Sequence, residues 1–198
     1  NSGIQHAQGE WICFLDIDDP EAHKLHNQAN SIQRNSQLKL IYSNYWRATR
    51  GHASGYQRTA PPWLPHHQLM AFANPIPMLT ACVRAELAKK SRFEAIHHED
   101  FVFWQLITQQ LQAHEVEIIA QPLALYSVNP KSLSGNKLIS TMWIWKCYRS
   151  LGYSIIKSLI AIILRSLLQC WYMSNSLNKQ SIPFDSADIE QRWLNGVR

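Results

Sequence analysis

Glycine is scarce in this sequence, 7 of 198 residues, and no heptad repeat runs through it, which excludes collagen and an extended coiled coil. Charge is sparse as well. Asp, Glu, Lys and Arg make up 17 % of the chain and apolar residues 46 %, the reverse of a disordered segment. The four cysteines, Cys13, Cys82, Cys147 and Cys170, lie far apart with no C-x-x-C pair. Neither a disulfide framework nor a Cys-rich zinc module is expected, and a reducing compartment is the simpler reading. No secretory leader opens the sequence. It starts at Asn1-Ser2-Gly3-Ile4 rather than at Met, which reads as the middle of a longer protein.

Acidic residues are missing from two long stretches. Between Glu21 and Glu86 there is none, against seven cations, and between Glu117 and Asp185 there is again none against seven. Five of the fourteen acids crowd between Glu10 and Glu21. The acids are thus a few points on a cationic background of net charge +5. Such a field attracts phosphates or anionic lipid, or is simply a solvated basic surface. The cations are scattered singly and no zinc-finger or RNP-type motif is present, so nucleic acid is not the expected partner.

Apolar Trp11-Ile12-Cys13-Phe14-Leu15 predicts a buried strand that ends in Asp16-Ile17-Asp18-Asp19. Pro20, with Asp19 as N-cap, predicts a helix start, and Leu25, Ala29 and Ile32 continue at helical spacing. Residues 38–45 read as a second strand. Residues 47–68, with Gly51, Gly55 and Pro61-Pro62-Trp63-Leu64-Pro65, read as a long loop. A strand over 78–83, helices over 85–90 and 100–112, and short strands over 116–120 and 123–126 around Pro122 follow, then a helix over 138–150. Strands alternating with helices give an α/β fold with a mostly parallel sheet over residues 1–150.

Residues 151–198 differ in character. From Tyr153 to Met173 the chain is apolar but interrupted by Lys157 and Arg165. Ser154, Lys157, Ser158, Ala161, Arg165 and Gln169 share one helical face. Two cations in mid-segment argue against a spanning helix. The pattern suits an amphipathic helix in a membrane interface, or one packed on the domain's own core.

Two acidic points carry candidate chemistry. Asp16 and Asp18, two residues apart beyond a strand, can approach one hard cation such as Mg²⁺ or Mn²⁺, although helix caps and acidic turns look the same. His97-His98-Glu99-Asp100 precedes a helix. Its acids are either caps or, facing the same cleft as Asp18, a source of a general base. A zinc hydrolase built on His97 and His98 lacks the H-E-x-x-H spacing.

The order of these motifs resembles the family 2 glycosyltransferases of the GT-A type. Residues Asn1 to Asp19 are similar to the family's N-x-G-I-x-x-A-x-G-E-[YW]-[IV]-x-F-L-D-x-D-D. Phe93 with Glu99-Asp100-Phe101-Val102-Phe103-Trp104 resembles its F-D…E-D-[YF]-x-[LF]-W. Asn74-Pro75-Ile76 resembles its N-x-I stretch. Leu125-Tyr126 and Ser132-Leu133-Ser134-Gly135-Asn136-Lys137 resemble a segment of bacterial polysaccharide and O-antigen transferases.

The resemblance implies a GT-A-like, Rossmann-like fold lacking its N-terminal part and followed by an amphipathic helical tail. It implies inverting, metal-dependent sugar transfer from a nucleotide-sugar donor to a saccharide or polyprenyl-linked acceptor in cell-surface polysaccharide synthesis. Asp18 and Asp16 would hold Mn²⁺ or Mg²⁺, and Asn1, Gly3 and Asp16 would face the donor. Asp100 would be the base, with Glu99 beside it. Asn74, His98 and Trp104 would face the acceptor. The basic segment from Arg47 to Arg58 would meet the diphosphate of a lipid-linked acceptor. The helix would hold the enzyme on the anionic inner face of a bacterial plasma membrane, in the cytoplasm. The competing expectation is a truncated, non-catalytic relative that only binds the membrane surface.

Overall fold

The computed structural model describes residues 1–15, 23–49, 54–59, 61, 63–128, 137–176 and 180–181. Asp16, Asp18 and Asp19, Pro20, Arg50, Gly51, Pro62 and residues 129–136 of the expected motifs lie outside them.

The central strand is β2 (Leu40–Thr49), whose Leu40, Ile41, Tyr42 and Ser43 are all buried. Both faces of its first half are covered, so Leu40-Ile41-Tyr42 reads as apolar without alternation, before the polar Ser43 and Asn44. Along one edge it pairs in parallel with β5 (Val116–Val128). Along the other it pairs antiparallel, first with β4 (Cys82–Arg84) and then with β3 (Ser54–Arg58). Strand β1 (Trp11–Cys13) lies outside β4, and the short β6 (Gln180–Ser181) outside β3.

The mostly parallel sheet is therefore corrected. The α/β class stands, but β2 with β5 is the one parallel pair among the described strands. Periodicity marks strands without giving their direction, which the connections decide. Only four residues, 50–53, separate β2 from β3, too few for a crossover, so the two strands run antiparallel.

That hairpin also corrects the long loop expected over 47–68. Gly55 reads as a loop residue but is buried opposite Ala48. A Cβ there would stand 2.6 Å from the Arg47 carbonyl oxygen and 3.1 Å from the Ala48 Cβ. Close strand approach, not turn chemistry, requires this glycine. Gly55→Val should therefore push the hairpin apart and cost about 1–3 kcal/mol, the usual range for forcing extra volume into a packed site. A thermal melt checks it; an unchanged midpoint would refute the tight approach.

The two short strands expected around Pro122 are one. Pro122 has no N–H to give to a ladder and sits where the β2–β5 register shifts. Across the shift the Asn44 side chain donates to the Ala120 carbonyl at 2.6 Å.

Helices α1 (Ser2–His6), α2 (Lys24–Arg34), α3 (His66–Met70) and α4 (Ala85–Lys90) flank the sheet, and α5 (Glu99–Thr108) runs through the middle of the domain. Apart from its first turn α5 is apolar nearly all round, as a helix buried on two sides must be. Phe103, Trp104 and Ile107 join Leu40, Tyr42 and Val83 in the core over the sheet. Phe101 and Val102 face away, into a second core formed with α6 (Lys137–Ser150) and α7 (Ile155–Asn175).

Helix α7 is long and apolar enough to cross a membrane by length and composition. Its small and polar stripe faces the domain, where Ser158, Ala161 and Tyr172 are buried. Its apolar side faces outward, with Ile156 71 % and Leu167 62 % exposed.

Candidate active site

Of the first acidic segment, the described residues run to Leu15, and Asp16 and Asp18 lie outside them. Up to that point β1 leads toward it, and α2 begins beyond it with Lys24, whose buried ammonium donates to the Phe14 carbonyl. Lys24, buried at the start of α2, was legible in the sequence only as one cation among seven. Asn1 grips the backbone of Phe93 from both sides. Its side-chain amide donates to the Phe93 carbonyl at 3.0 Å, and its oxygen accepts from the Phe93 N–H at 2.9 Å. Gly3 lies exposed on α1.

The second acidic segment is fully placed. Asp100 sits in the first turn of α5, half-buried, while its neighbour Glu99 is exposed. Asn74 is brought against Asp100, its Nδ2 donating to Asp100 Oδ2 at 2.8 Å. The other end of the Asn74 amide accepts the Ile76 N–H at 3.1 Å, an Asx turn that fixes its orientation. The chain before Asn74 is pinned in turn: Tyr148 Oη donates to the Phe72 carbonyl at 2.6 Å and Tyr153 Oη to the Ala71 carbonyl at 3.0 Å. The Asn74 and Asp100 expected from separate motifs therefore form one supported pair.

Burial holds the Asp100 carboxyl above its ordinary range. A carboxylate raised toward working pH is a better proton acceptor than a free one. His98, the N-cap of α5, takes a left-handed backbone with φ 62°. Its Nε2 lies 3.0 Å from Ser140 Oγ, and burial, with Arg165 nearby, keeps its pKa below the ordinary 6.5. His97 stacks on Trp143 of α6 with centroids 3.7 Å apart. The two histidines are thus engaged by α6.

Trp104 is corrected. It is fully buried among Phe14 and Phe103 in the core, not at a sugar subsite. On a helix buried on both sides, an aromatic one turn after a functional acid turns into the packing.

The Asp100–Asn74 pair opens on a cleft of about 290 Å³. Its other walls come from Tyr42, Tyr45 and Arg47 of β2, Arg58 of β3, and Arg165 and Tyr172 of α7. Arg58 stacks on the Tyr172 ring with its guanidinium carbon 3.3 Å from the centroid, and Arg47 lies 5.2 Å from that of Tyr126. Arg165 and Tyr172 were not singled out as site residues. Both lie seven residues apart on the inward stripe of α7, which was legible as a face but not as a wall of this cleft.

A base at Asp100 has to be ionised to accept a proton, so if Asp100 is the base, activity should fall on acidification through its raised pKa. The acid limb of kcat/KM should lie above the ordinary carboxyl value of 3.8. His98 stays neutral above 6.5 and adds no limb there. A pH–rate profile flat down to pH 4 would contradict this.

No family model matches the chain. Its sequence is 29 % identical over 168 residues to an uncharacterized glycosyltransferase of Haemophilus influenzae, covering 83 % of this chain and 65 % of that protein. It is 27 % identical over 140 residues to WfgD of Escherichia coli, a UDP-Glc:alpha-D-GlcNAc-diphosphoundecaprenol beta-1,3-glucosyltransferase, covering 69 % of this chain and 53 % of that one. The chain is similar to glycosyltransferases. It spans 65 % and 53 % of the length of these two curated relatives. In fold it matches residues 1–349 of S. aureus TarS, with a TM-score of 0.53 and 15 % identity over 98 % of this chain and 56 % of that one.

Proposed function

We propose that the protein is a family 2, GT-A-type glycosyltransferase that transfers a sugar, with inversion, from a nucleotide-sugar to a hydroxyl of a saccharide carried on a lipid diphosphate, in cell-surface polysaccharide synthesis. The observation that carries this is the half-buried Asp100 carboxylate, oriented by Asn74 in a cleft lined by three arginines. Similarity to a diphosphoundecaprenol-dependent glucosyltransferase supports the class of donor and acceptor.

In this reading an Asp100 carboxylate oxygen takes the proton from the acceptor hydroxyl. The hydroxyl oxygen bonds to the anomeric carbon from the face opposite the leaving group, and the nucleoside diphosphate departs with the electron pair. Asn74 holds the carboxylate toward the hydroxyl. Asp18 and Asp16 are proposed to hold Mn²⁺ or Mg²⁺, which when bound would offset negative charge on the departing diphosphate. Asn1 and Gly3 are proposed to shape the donor side and His98 the acceptor side, with Glu99 adding negative charge at the mouth.

The outward face of α7 supports a peripheral position on the inner, anionic face of the plasma membrane. Ile155, Ile156, Ile163 and Leu167 are each at least 60 % exposed there. Trp63 packs edge-on against Trp171 at the far end of the helix, as aromatic residues do at headgroup depth.

The reading is tested with Asp18→Ala, using a labelled nucleotide-sugar and a lipid-diphosphate-linked saccharide. Transfer to the lipid fraction should vanish while the melting curve is kept. Undiminished transfer would remove Asp18 from the mechanism.

A further inference from the structure

We infer that Arg47, Arg58 and Arg165 together form the receptor for the acceptor's diphosphate, and that its lipid chain leaves between α6 and α7. This rests on the glycosyl-transfer reading above and adds to it the way the acceptor is held.

Two cavities meet at these arginines. One is the cleft with Asp100 and Asn74. The other is a groove of about 640 Å³ between α6 and α7, lined by Ile144, Ile162 and Met173 together with the polar Ser140, Ser166 and Gln169. Arg47, Arg58 and Arg165 line both. A molecule lying across them has one end at the base, its middle among three guanidiniums and its other end in a groove of mixed polar and apolar lining. The groove opens beside the exposed face of α7. That order of chemistries is sugar, diphosphate, lipid.

Among the described residues none of the three arginines forms an ion pair with a carboxylate. Arg58 is steadied by Tyr172 instead, its guanidinium carbon lying over the ring. Guanidinium forks match phosphate oxygens in pairs, and two linked phosphates need more than one of them. The nucleotide donor also carries a diphosphate, and UDP as a comparator tells the two ligands apart.

Helix α7 therefore has two sides with two tasks. Its outward side meets the bilayer, and its inward side, through Arg165 and Tyr172, reads the headgroup of a lipid drawn from that same bilayer.

The test is calorimetric binding of farnesyl diphosphate to the protein without donor or divalent cation, with farnesol and UDP as comparators. Farnesyl diphosphate should bind and farnesol should not. Arg165→Ala and Arg58→Ala should each weaken binding by about tenfold or more, the scale of a lost hydrogen bond to a charged group. Arg165→Lys, which keeps the charge and the packing stem, should fall between. UDP binding should be the same in all of them. Arginine variants that bind farnesyl diphosphate as the parent does would overturn the inference, as would an equal loss for UDP. If Arg165→Ala does not fold, Arg165→Lys and Arg58→Ala decide alone. Asp100→Asn separates the two readings. It should bind farnesyl diphosphate normally and transfer nothing. Normal binding with normal transfer would remove the base and leave the receptor standing.

Discussion

Asp100→Asn should abolish sugar transfer and raise the melting temperature at neutral pH. The two halves come from one fact. Burial raises the Asp100 pKa, so the ionised form is less favourable in the folded protein than in the unfolded one. Above the raised pKa this costs stability, and the cost disappears as pH falls and the carboxyl protonates. Asn has the same shape, carries no charge, and can still accept the hydrogen bond from Asn74 Nδ2. The fold is relieved while the proton acceptor is gone. General bases contribute about 10²–10⁴-fold, so the loss of transfer should be at least of that order. Near pH 4 the two proteins should melt closer together. A scanning fluorimetry series with a transfer assay measures both. A variant that melts lower and still transfers would mean that Asp100 is a structural cap.

The second large effect belongs to α7. Ile163→Glu with Leu167→Glu should release the protein from vesicles containing anionic lipid without unfolding it. Both side chains are exposed, 60 % and 62 %, so neither substitution opens the core. Burying each in lipid is worth about 1.5–3 kcal/mol, so losing two weakens partitioning about a hundredfold or more. The new charges also repel anionic headgroups. Co-sedimentation with vesicles checks it. Unchanged binding would move the membrane contact elsewhere, and release together with a collapsed melting curve would mean that the outward face is part of the core.

What could be read from the sequence follows from the range of each signal. Local periodicity was enough for α2, α4, α5, α6 and α7, because each presents its pattern within its own turns. The pairing of Asn74 with Asp100 was legible only through the order of motifs, since 26 residues separate them. The β2–β3 hairpin was not legible. Gly55 and the prolines after it carry the same local signal in a loop as in a tight strand pair, and only the 2.6 Å approach to Arg47 distinguishes them. Strand direction was hidden for a similar reason. Trp104 shows the limit of motif reasoning: its place after the acidic pair points to a site, but the two-sided burial of α5 puts it in the core. The inward stripe of α7 was visible as Ser158, Ala161 and Arg165, yet nothing local shows that α7 closes over the Asp100 cleft. The Asp16 and Asp18 readings lie outside the described residues and rest on sequence.

The most direct measurement is product analysis. The protein is incubated with a panel of nucleotide-sugars, Mn²⁺ or Mg²⁺, and a saccharide on a lipid diphosphate, and the lipid product is examined by mass spectrometry and by the anomeric proton coupling. The account predicts one added sugar, joined with the anomeric configuration opposite to that of the donor, from at least one donor in the panel. A product that retains the donor's configuration, or no product from any donor while the lipid diphosphate is bound, would contradict it.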